Sequence, residues 1–293
     1  MSYDTLQSIG RIALILTLGA TLSWLGSQGG AVVMGTPLFA LCGALAFGLN
    51  WAVFVPSFLF QVEHYFDLTG SLTYLMIVAC ALFLNPITDA RSLLLGGMIA
   101  IWAIRLGSFL FFRIQRSGGD GRFDSLKTHL GRFLMTWTLQ ALWVLFTAAC
   151  ALAAMTSTKT TPLGAWAIVG SIVFIAGFVI EIVADRQKSA FRSNPAHRDR
   201  FIESGLWAWS RHPNYFGEIV LWLGIACVAF PALSGWQYAT LVSPIFVFVL
   251  LSRISGVPLL EARGKKKWGH EPEYRAYLDR TPTLFPRRPR PSS

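Results

Sequence analysis

Long apolar runs recur along the whole chain, and they constrain its fold more than any other feature. A membrane-spanning helix needs about 20 consecutive, mostly apolar residues. Apolar runs fall at 8–26, 31–60, 72–86, 92–112, 132–156, 162–184, 214–232 and 236–258. The third run is short, and the second is long and contains Pro56. The sequence therefore predicts an all-α, polytopic membrane bundle of seven or eight spans, and we favour eight.

Positive charges are distributed unevenly between the connecting segments. Of the 25 lysines and arginines, 21 lie in the loop 113–132, the loop 186–213 or the tail after residue 252. The opposite loops carry only Arg91 and Lys159. Loops rich in lysine and arginine stay in the cytoplasm. Eight spans place the three basic segments on that side, which predicts a cytoplasmic C-terminus and a cytoplasmic N-terminus.

The composition excludes an ordinary soluble domain. Hydrophobic residues make up 54% of the chain and charged residues 14%, whereas soluble domains carry about 25% charged residues. We predict one membrane-embedded domain over 1–286 and a basic, disordered, lipid-facing tail over 287–293. The net charge of +10 comes from basic residues that border membrane spans. We therefore assign these residues to membrane topology and to contacts with lipid head groups rather than to nucleic-acid binding. The first run has an almost empty basic n-region, which favours a retained span over a signal peptide.

The sequence gives little support for metal or nucleophile chemistry. All four cysteines lie inside apolar runs, and no Cys/His spacing suits zinc. Neither GxSxG nor HExxH occurs. A GxGxxG motif and a P-loop are also missing from the sequence, so a dinucleotide would have to bind inside the helical bundle. We predict no metal site.

The stretch 204–218 concentrates polar chemistry between two long apolar segments, and it reads SGLWAWSRHPNYFGE. Pro213 can open the next helix, because the first turn of a helix leaves its N–H groups unpaired anyway. The polar residues around it are Arg211, His212, Asn214, Tyr215 and Glu218. They crowd a helix N-terminus, where free N–H groups and the helix dipole favour an anion.

Four ionisable residues lie at membrane depth. They are Arg105, Glu181, Asp185 and Glu218, and residues of this kind mark a functional site by default. Glu181 and Asp185 are four positions apart, so they share one helix face. One interpretation pairs the carboxylates with Arg105 or Arg211 as packing contacts between helices. The other places them along one cavity that opens to the cytosol.

The basic loops add a second hint of an anionic ligand. The first reads RIQRSGGDGRFDSLK and contains Arg113, Arg116, Asp120 and Arg122 around Gly118, Gly119 and Gly121. Arginine among glycine and asparagine suits phosphate and ribose contacts, although ordinary topology-setting loops have the same composition. Before the third run, a polar cluster of Glu63, His64 and Asp67 is either an interfacial turn or part of a substrate mouth.

Three motifs in order are similar to those of a known family. They read DRQKSAFR from 185, SGLWAWSRHPNYFGE from 204, and SGVPLLEARGKKKWGHEPEYRAYLDRTPTLFP from 255. The chain resembles the bacterial membrane relatives of steroid 5-alpha-reductase, many of which are classed only as a domain of unknown function. The resemblance runs from Trp102 to Pro286, and it includes RLGSFLFFRIQRSGGDGRF. It implies a bacterial inner-membrane protein.

The resemblance implies a helical bundle that holds NADPH at its cytoplasmic side. It also implies hydride transfer to the β carbon of a conjugated enone in a lipid or steroid-like substrate. The cofactor residues that it implies are Arg105, Arg113, Asp185, Arg192, Arg211, His212, Asn214, Tyr215, Glu218, Tyr274, Tyr277 and Arg280, with Arg275 as the alternative to Arg280. An acidic group and a tyrosine hold the substrate carbonyl in the family. The nearest candidates here are Glu63, Asp67 and Tyr74, of which we favour Asp67 and Tyr74.

Two other functions remain open on the sequence. Membrane methyltransferases of the isoprenylcysteine carboxyl type also carry an RHPxY turn, and they would use S-adenosylmethionine. A transporter or structural protein would also place charges at membrane depth, but the paired broken helices and repeats of many transporters are not visible. The substrate, the oligomeric state and the choice of NADPH over NADH stay open, although the arginine-rich loops favour the extra phosphate.

Overall fold

The computed structural model describes residues 3–117, 119, 121 and 123–289, and most of this part of the chain is helical. The long helices are α1 (Tyr3–Gly26), α2 (Leu38–Leu59), α3 (Phe66–Leu84), α4 (Ala90–Ser117), α5 (Leu130–Met155), α6 (Ala165–Ser193) and α7 (Pro213–Ala229). Shorter helices follow as α8 (Val242–Val249), α9 (Gly256–Trp268) and α10 (Pro272–Arg280). Two antiparallel strands of two residues each, β1 (Val32–Val33) and β2 (Thr36–Pro37), precede α2.

Eight helical segments of the described chain are long enough and apolar enough to cross a membrane. The last, Gly235–Trp268, joins a 3-10 turn, α8, a π-helical turn (Leu250–Ile254) and α9. The all-α membrane fold is therefore confirmed, with the number of spans that we favoured. The side of the membrane that the C-terminus occupies stays a prediction.

The second and third apolar runs differ in detail from the helices that they form. The second run contributes the β1–β2 hairpin before α2, and Pro56 lies near the end of α2. The third run is lengthened because α3 already begins at Phe66. The first two turns of α3 carry Thr69 and Thr73, whose hydroxyls donate to the carbonyls of Tyr65 and Thr69, each at 2.7 Å. These bonds let polar side chains lie on a membrane helix.

The chain packs as two compact units. The first unit comprises Met1–Ile168 and Ile225–Ser243, and the second comprises Val169–Gly224 and Pro244–Ser293. The single domain over 1–286 stays a prediction. Residues 290–293 of the predicted tail, and Gly118, Asp120 and Arg122 of the first basic loop, lie outside the described residues.

The first unit is organised around α5. Its core includes Phe54, Phe123, Phe133 and Trp137. The ring of Phe123 lies 4.8 Å from that of Phe66 and 6.4 Å from that of Phe133, within the range of favourable aromatic pairs. Packing of Phe123 therefore ties the segment before α5 to the helical core.

Arg91 is a buried cation that joins three segments of the first unit. Its side chain is almost inaccessible, at 2% exposure. The guanidinium donates from Nε to Thr161 O at 3.2 Å, from Nη1 to Val228 O at 2.5 Å and from Nη2 to Pro162 O at 2.6 Å. Nearby, burial raises the pKa of Asp89, but N–H donors from Thr161 and Ser92 outweigh burial and leave the pKa below its usual range. The charged guanidinium and its carbonyls hold these loops together.

We expect Arg91→Lys to destabilise the purified protein by about 2 kcal/mol, because a lysine ammonium keeps the charge but cannot reproduce the planar fork of donors. Thermal unfolding in detergent measures this loss. Arg11→Lys is the matched control, since Arg11 is an exposed residue of the same unit. An equal unfolding temperature for Arg91→Lys and wild type would show that the three carbonyl contacts add no stability.

In the second unit, α6 and α7 cross at glycines. Gly177 of α6 faces Gly217 and Leu221 of α7, and Gly224 of α7 faces Phe174. Small residues let membrane helices approach until their backbones touch. This crossing sets the first turns of α7, which carry the polar residues of the RHPNYFGE stretch, beside the half of α6 that carries Glu181.

Candidate functional site

The turn before α7 is held by hydrogen bonds to the segment after α10. The Ser210 hydroxyl donates to Leu284 O at 2.8 Å and accepts from the His212 N–H at 3.2 Å. The Arg211 N–H donates to Pro282 O at 2.9 Å. Helix α7 begins at Pro213, as the sequence predicted. The local chain direction at Arg211 and His212 is therefore fixed by its own turn and by the C-terminal segment.

Glu261 of α9 binds both basic side chains of the turn. Its Oε1 lies 2.9 Å from His212 Nε2, and its Oε2 lies 3.4 Å from Arg211 Nη1. Arg211 Nη2 also donates to the Thr283 hydroxyl. One carboxylate thus joins the RHP turn to α9, and it holds the Arg211 guanidinium in a single orientation.

His212 is 5% exposed, and its surroundings determine its protonation. Burial lowers the pKa of His212, and the hydrogen bond and charge of Glu261 oppose this shift only in part. The imidazole is therefore neutral near pH 7. A carboxylate only accepts hydrogen bonds, so we assign the ring proton to Nε2, which leaves Nδ1 as an acceptor. Nδ1 and the side-chain oxygen of Asn214 are both buried without a hydrogen-bond partner among the described residues.

A cavity of about 250 Å³ lies beside the Arg211–Glu261 ion pair, entirely within the second unit. Its lining is strongly basic, since it includes a single carboxylate, that of Glu261, in the described part of the chain. The cations that line it are Lys188, Arg192, Arg200, Arg211, Arg263 and Lys267. Such a surplus of positive charge attracts an anion.

Aromatic side chains form the apolar part of the same wall. The Phe201 ring lies 5.0 Å from that of Tyr274 and 5.4 Å from that of Tyr277. The Tyr277 hydroxyl donates to Trp207 O at 2.8 Å. Burial raises the pKa of Tyr274 and of Tyr277, so both phenols are neutral. Cations beside aromatic faces suit a ligand that combines phosphate with a planar ring.

Gly264 of α9 lies directly against the Tyr274 hydroxyl, with no room for a Cβ atom. The absence of a side chain at this position allows α10 to pack closely on α9. The close approach explains why a glycine interrupts the basic run RGKKKW.

Five of the predicted cofactor residues meet in the wall of this cavity, namely Arg192, Arg211, His212, Tyr274 and Tyr277. Asp185 is buried on α6, and Tyr215 stacks on the His212 ring at 5.8 Å. Asn214 and Glu218 occupy the first two turns of α7. Arg280 lies at the surface instead, where it pairs with Glu203.

The remaining predicted residues belong to the first unit. Arg113 lies 3.5 Å from Asp67, and Arg105 lies over the Phe109 ring at 5.3 Å. Tyr74 is buried, with its ring 5.1 Å from that of Trp102.

The polar cluster before α3 also contains an ion pair. Lys127 donates to Glu63 at 3.0 Å, and this bond raises the pKa of Lys127. The pair ties the loop before α5 to the segment before α3.

Sequence reasoning missed Glu261 as a site residue. The carboxylate that Arg211 contacts is Glu261. His212 and Glu261 are 49 residues apart, so no local spacing links them. The sequence feature that could have indicated Glu261 is its position, since it is an acidic residue just before the basic run of the third motif. Phe201 and Thr283 were missed as well, because an aromatic and a threonine in a loop carry no local signal.

Comparisons with known proteins agree with a membrane family that has no assigned function. A family model described as a protein of unknown function (DUF1295) matches residues 53–281, so the match begins well before the predicted start at Trp102. An uncharacterized protein from Schizosaccharomyces pombe is 23% identical over 235 residues, which cover 69% of this chain and 65% of that protein. No solved structure gives a significant match.

Two relatives with named activities match over shorter regions. A probable O-methyltransferase from Ustilaginoidea virens is 27% identical over 103 residues, 35% of this chain and 34% of that protein. The 3-oxo-5-alpha-steroid 4-dehydrogenase 1 of Bos taurus is 28% identical over 104 residues, 36% of this chain and 35% of that enzyme. In all three comparisons the chain covers less than two thirds of the relative's own length. The family match covers most of the chain, and the protein therefore belongs to the DUF1295 family.

Proposed function

We propose that the protein is a membrane-embedded, NADPH-dependent reductase of the C=C bond of a conjugated enone in a lipid or steroid-like substrate. The basic, aromatic-lined cavity of the second unit carries this proposal. The distant similarity to the Bos taurus steroid dehydrogenase supports it. The eight apolar segments agree with a lipid bilayer as the setting.

The residues of the cavity fit the nucleotide end of a dinucleotide. Phosphate groups need several cations, and six line the cavity. Phe201 and its neighbouring tyrosines offer flat faces for a base. Ligand sites usually measure about 300–1,000 Å³, so the 250 Å³ found here suits a nucleotide phosphate rather than the whole cofactor. The basic lining belongs to two of the basic segments that we place on the cytoplasmic side, 186–213 and the part after residue 252, where the soluble cofactor is available.

NADPH, when bound, supplies a hydride for the β carbon of the enone, and a proton to the α carbon completes the reduction. The protein must then hold the carbonyl oxygen as negative charge develops on it, in a site that excludes water. Asp67 and Tyr74 remain our candidates for that role. Glu261 keeps Arg211 oriented, and the neutral His212 offers Nδ1 as an acceptor for a donor group of the cofactor.

Methyl transfer from S-adenosylmethionine is the second candidate function. The match to the probable O-methyltransferase is as extensive as the match to the steroid dehydrogenase, and this similarity favours it. The cavity itself opposes it, because S-adenosylmethionine carries a positive sulfonium and no phosphate. A lining with six cations and one carboxylate would repel the sulfonium rather than attract it.

Thermal unfolding of the detergent-purified protein with NADPH, NADH or S-adenosylmethionine separates these functions. A ligand at 100 times its Kd adds about 2.7 kcal/mol to the native state, so we expect a clear stabilisation by NADPH. Adenosine serves as an uncharged control. Stabilisation by S-adenosylmethionine alone would reject the reductase, and no stabilisation by any of the three would favour a transporter or structural protein.

A further inference from the structure

The cations of the cavity differ in how far they are already neutralised. Arg211 is bound to Glu261 at 3.4 Å, and Lys267 lies 3.2 Å from Asp199. Lys188 lies over the Trp207 ring at 4.5 Å. Arg200 and Arg263 are exposed and line the same cavity. Neither of their guanidinium groups has a hydrogen-bond or ion-pair partner among the residues that the structure describes.

Two uncompensated arginines in the lining of one cavity suit a phosphate monoester better than a phosphodiester. A monoester carries a charge of about −1.5 to −2 at neutral pH and offers three acceptor oxygens. One cation cannot neutralise such a group, whereas two arginine forks can donate to it from different sides. Arginine is also the residue that receives the 2′-phosphate of NADP in soluble dinucleotide folds.

The neighbouring residues indicate which part of a nucleotide would lie here. Phe201 follows Arg200 directly and packs against Trp268 at 6.0 Å and against Tyr274 at 5.0 Å. Arg263 precedes Gly264, which itself packs against the Tyr274 hydroxyl. Aromatic side chains therefore share the lining of the cavity with both arginines, as a site for an adenosine phosphate requires.

We propose that Arg200 and Arg263 form a subsite for a phosphate monoester, and that its ligand is the 2′-phosphate on the adenosine ribose of the cofactor. This assignment rests on the proposed function and extends it, because it makes the protein selective for NADPH over NADH. Neither arginine is among the cofactor residues that the family resemblance implied.

The test compares wild type with the double variant Arg200→Gln/Arg263→Gln. Kd values are measured in detergent for NADPH, NADH, 2′,5′-ADP and 5′-AMP. In wild type we expect the ligands with a 2′-phosphate to bind about 30-fold or more tightly than their partners without it, and the double variant should reduce this ratio to within a few-fold. NADH affinity should stay nearly constant between the two proteins.

The matched control is Arg198→Gln/Lys266→Gln. Both residues are exposed, lie close in sequence to the tested pair and are not part of the cavity wall. The control removes the same number of charges, so it should keep the wild-type ratio. Equal loss of selectivity in the control would assign the effect to overall charge and overturn the subsite.

The two proposals fail in different ways. If wild type binds NADPH and the double variant keeps the full preference, the subsite is wrong and the reductase stands. If wild type binds neither NADPH nor NADH, the proposed function is wrong, and arginine-dependent binding of 2′,5′-ADP would then retain the phosphate subsite alone. Competition of that binding by phosphatidic acid micelles but not by inorganic phosphate would assign the subsite to a lipid head group, which overturns the 2′-phosphate assignment.

Discussion

Gly217→Val is expected to prevent the second unit from packing, so that the purified protein is aggregated or unfolds at a much lower temperature. A Cβ atom at position 217 would lie 2.6 Å from Gly177 O and 2.7 Å from Glu181 N. Both atoms belong to the backbone of α6, and neither can rotate away. Insertion of bulk into a packed contact commonly costs about 1–3 kcal/mol, occasionally more. We expect the upper end of this range or beyond, because relief requires the two helices to separate.

Thermal unfolding and size-exclusion chromatography in detergent measure this effect. Gly97→Val is the control, since Gly97 lies inside α4 and a Cβ there would meet nothing within 4 Å. It makes the same change of side chain in a membrane helix, so the two proteins differ only in what the new atoms contact. Wild-type stability of Gly217→Val would mean that α6 and α7 do not touch at these glycines.

The helical fold could be predicted because the bilayer leaves few alternatives. Apolar runs of about 20 residues can cross it only as helices when every backbone group must be satisfied internally. The length of α3 was less accessible, since its first turns carry polar threonines that are satisfied by their own helix. The α6–α7 crossing could not be predicted either. A glycine in an apolar run gives no sequence signal that distinguishes a close contact with another backbone from an open position.

The candidate site could be predicted only where its residues are close in sequence. The RHPNYFGE stretch could be identified from the sequence, because arginine, histidine and a carboxylate at the edge of a span are costly there and indicate a functional site. Glu261 completes the same cluster from α9, and only the fold brings it there. From the charged run that follows it, Arg263 and Lys267 line the same cavity.

Arg211→Gln is expected to raise the Kd for NADPH about 100-fold, which corresponds to the loss of one or two hydrogen bonds to a charged group. The guanidinium is held by Glu261 and by Thr283, and its buried Nε–H has no partner among the described residues. The cation is thus oriented before a ligand arrives, and this preorganisation strengthens binding. Isothermal titration in detergent measures the change, with Arg253→Gln, an exposed arginine outside the cavity, as the control.

Loss of binding could also follow from loss of structure, because Arg211→Gln leaves the half-buried Glu261 carboxylate beside the neutral His212, which donates a hydrogen bond but carries no charge. Removal of one member of such a pair is more damaging than removal of both. The double variant Arg211→Gln/Glu261→Gln takes away both charges and should recover most of the unfolding temperature. We expect it to bind NADPH as weakly as Arg211→Gln does, since the cation is still missing. Recovery of binding together with stability would show that Arg211 only shapes the turn, and the anion would then have to be held by the other cations of the cavity.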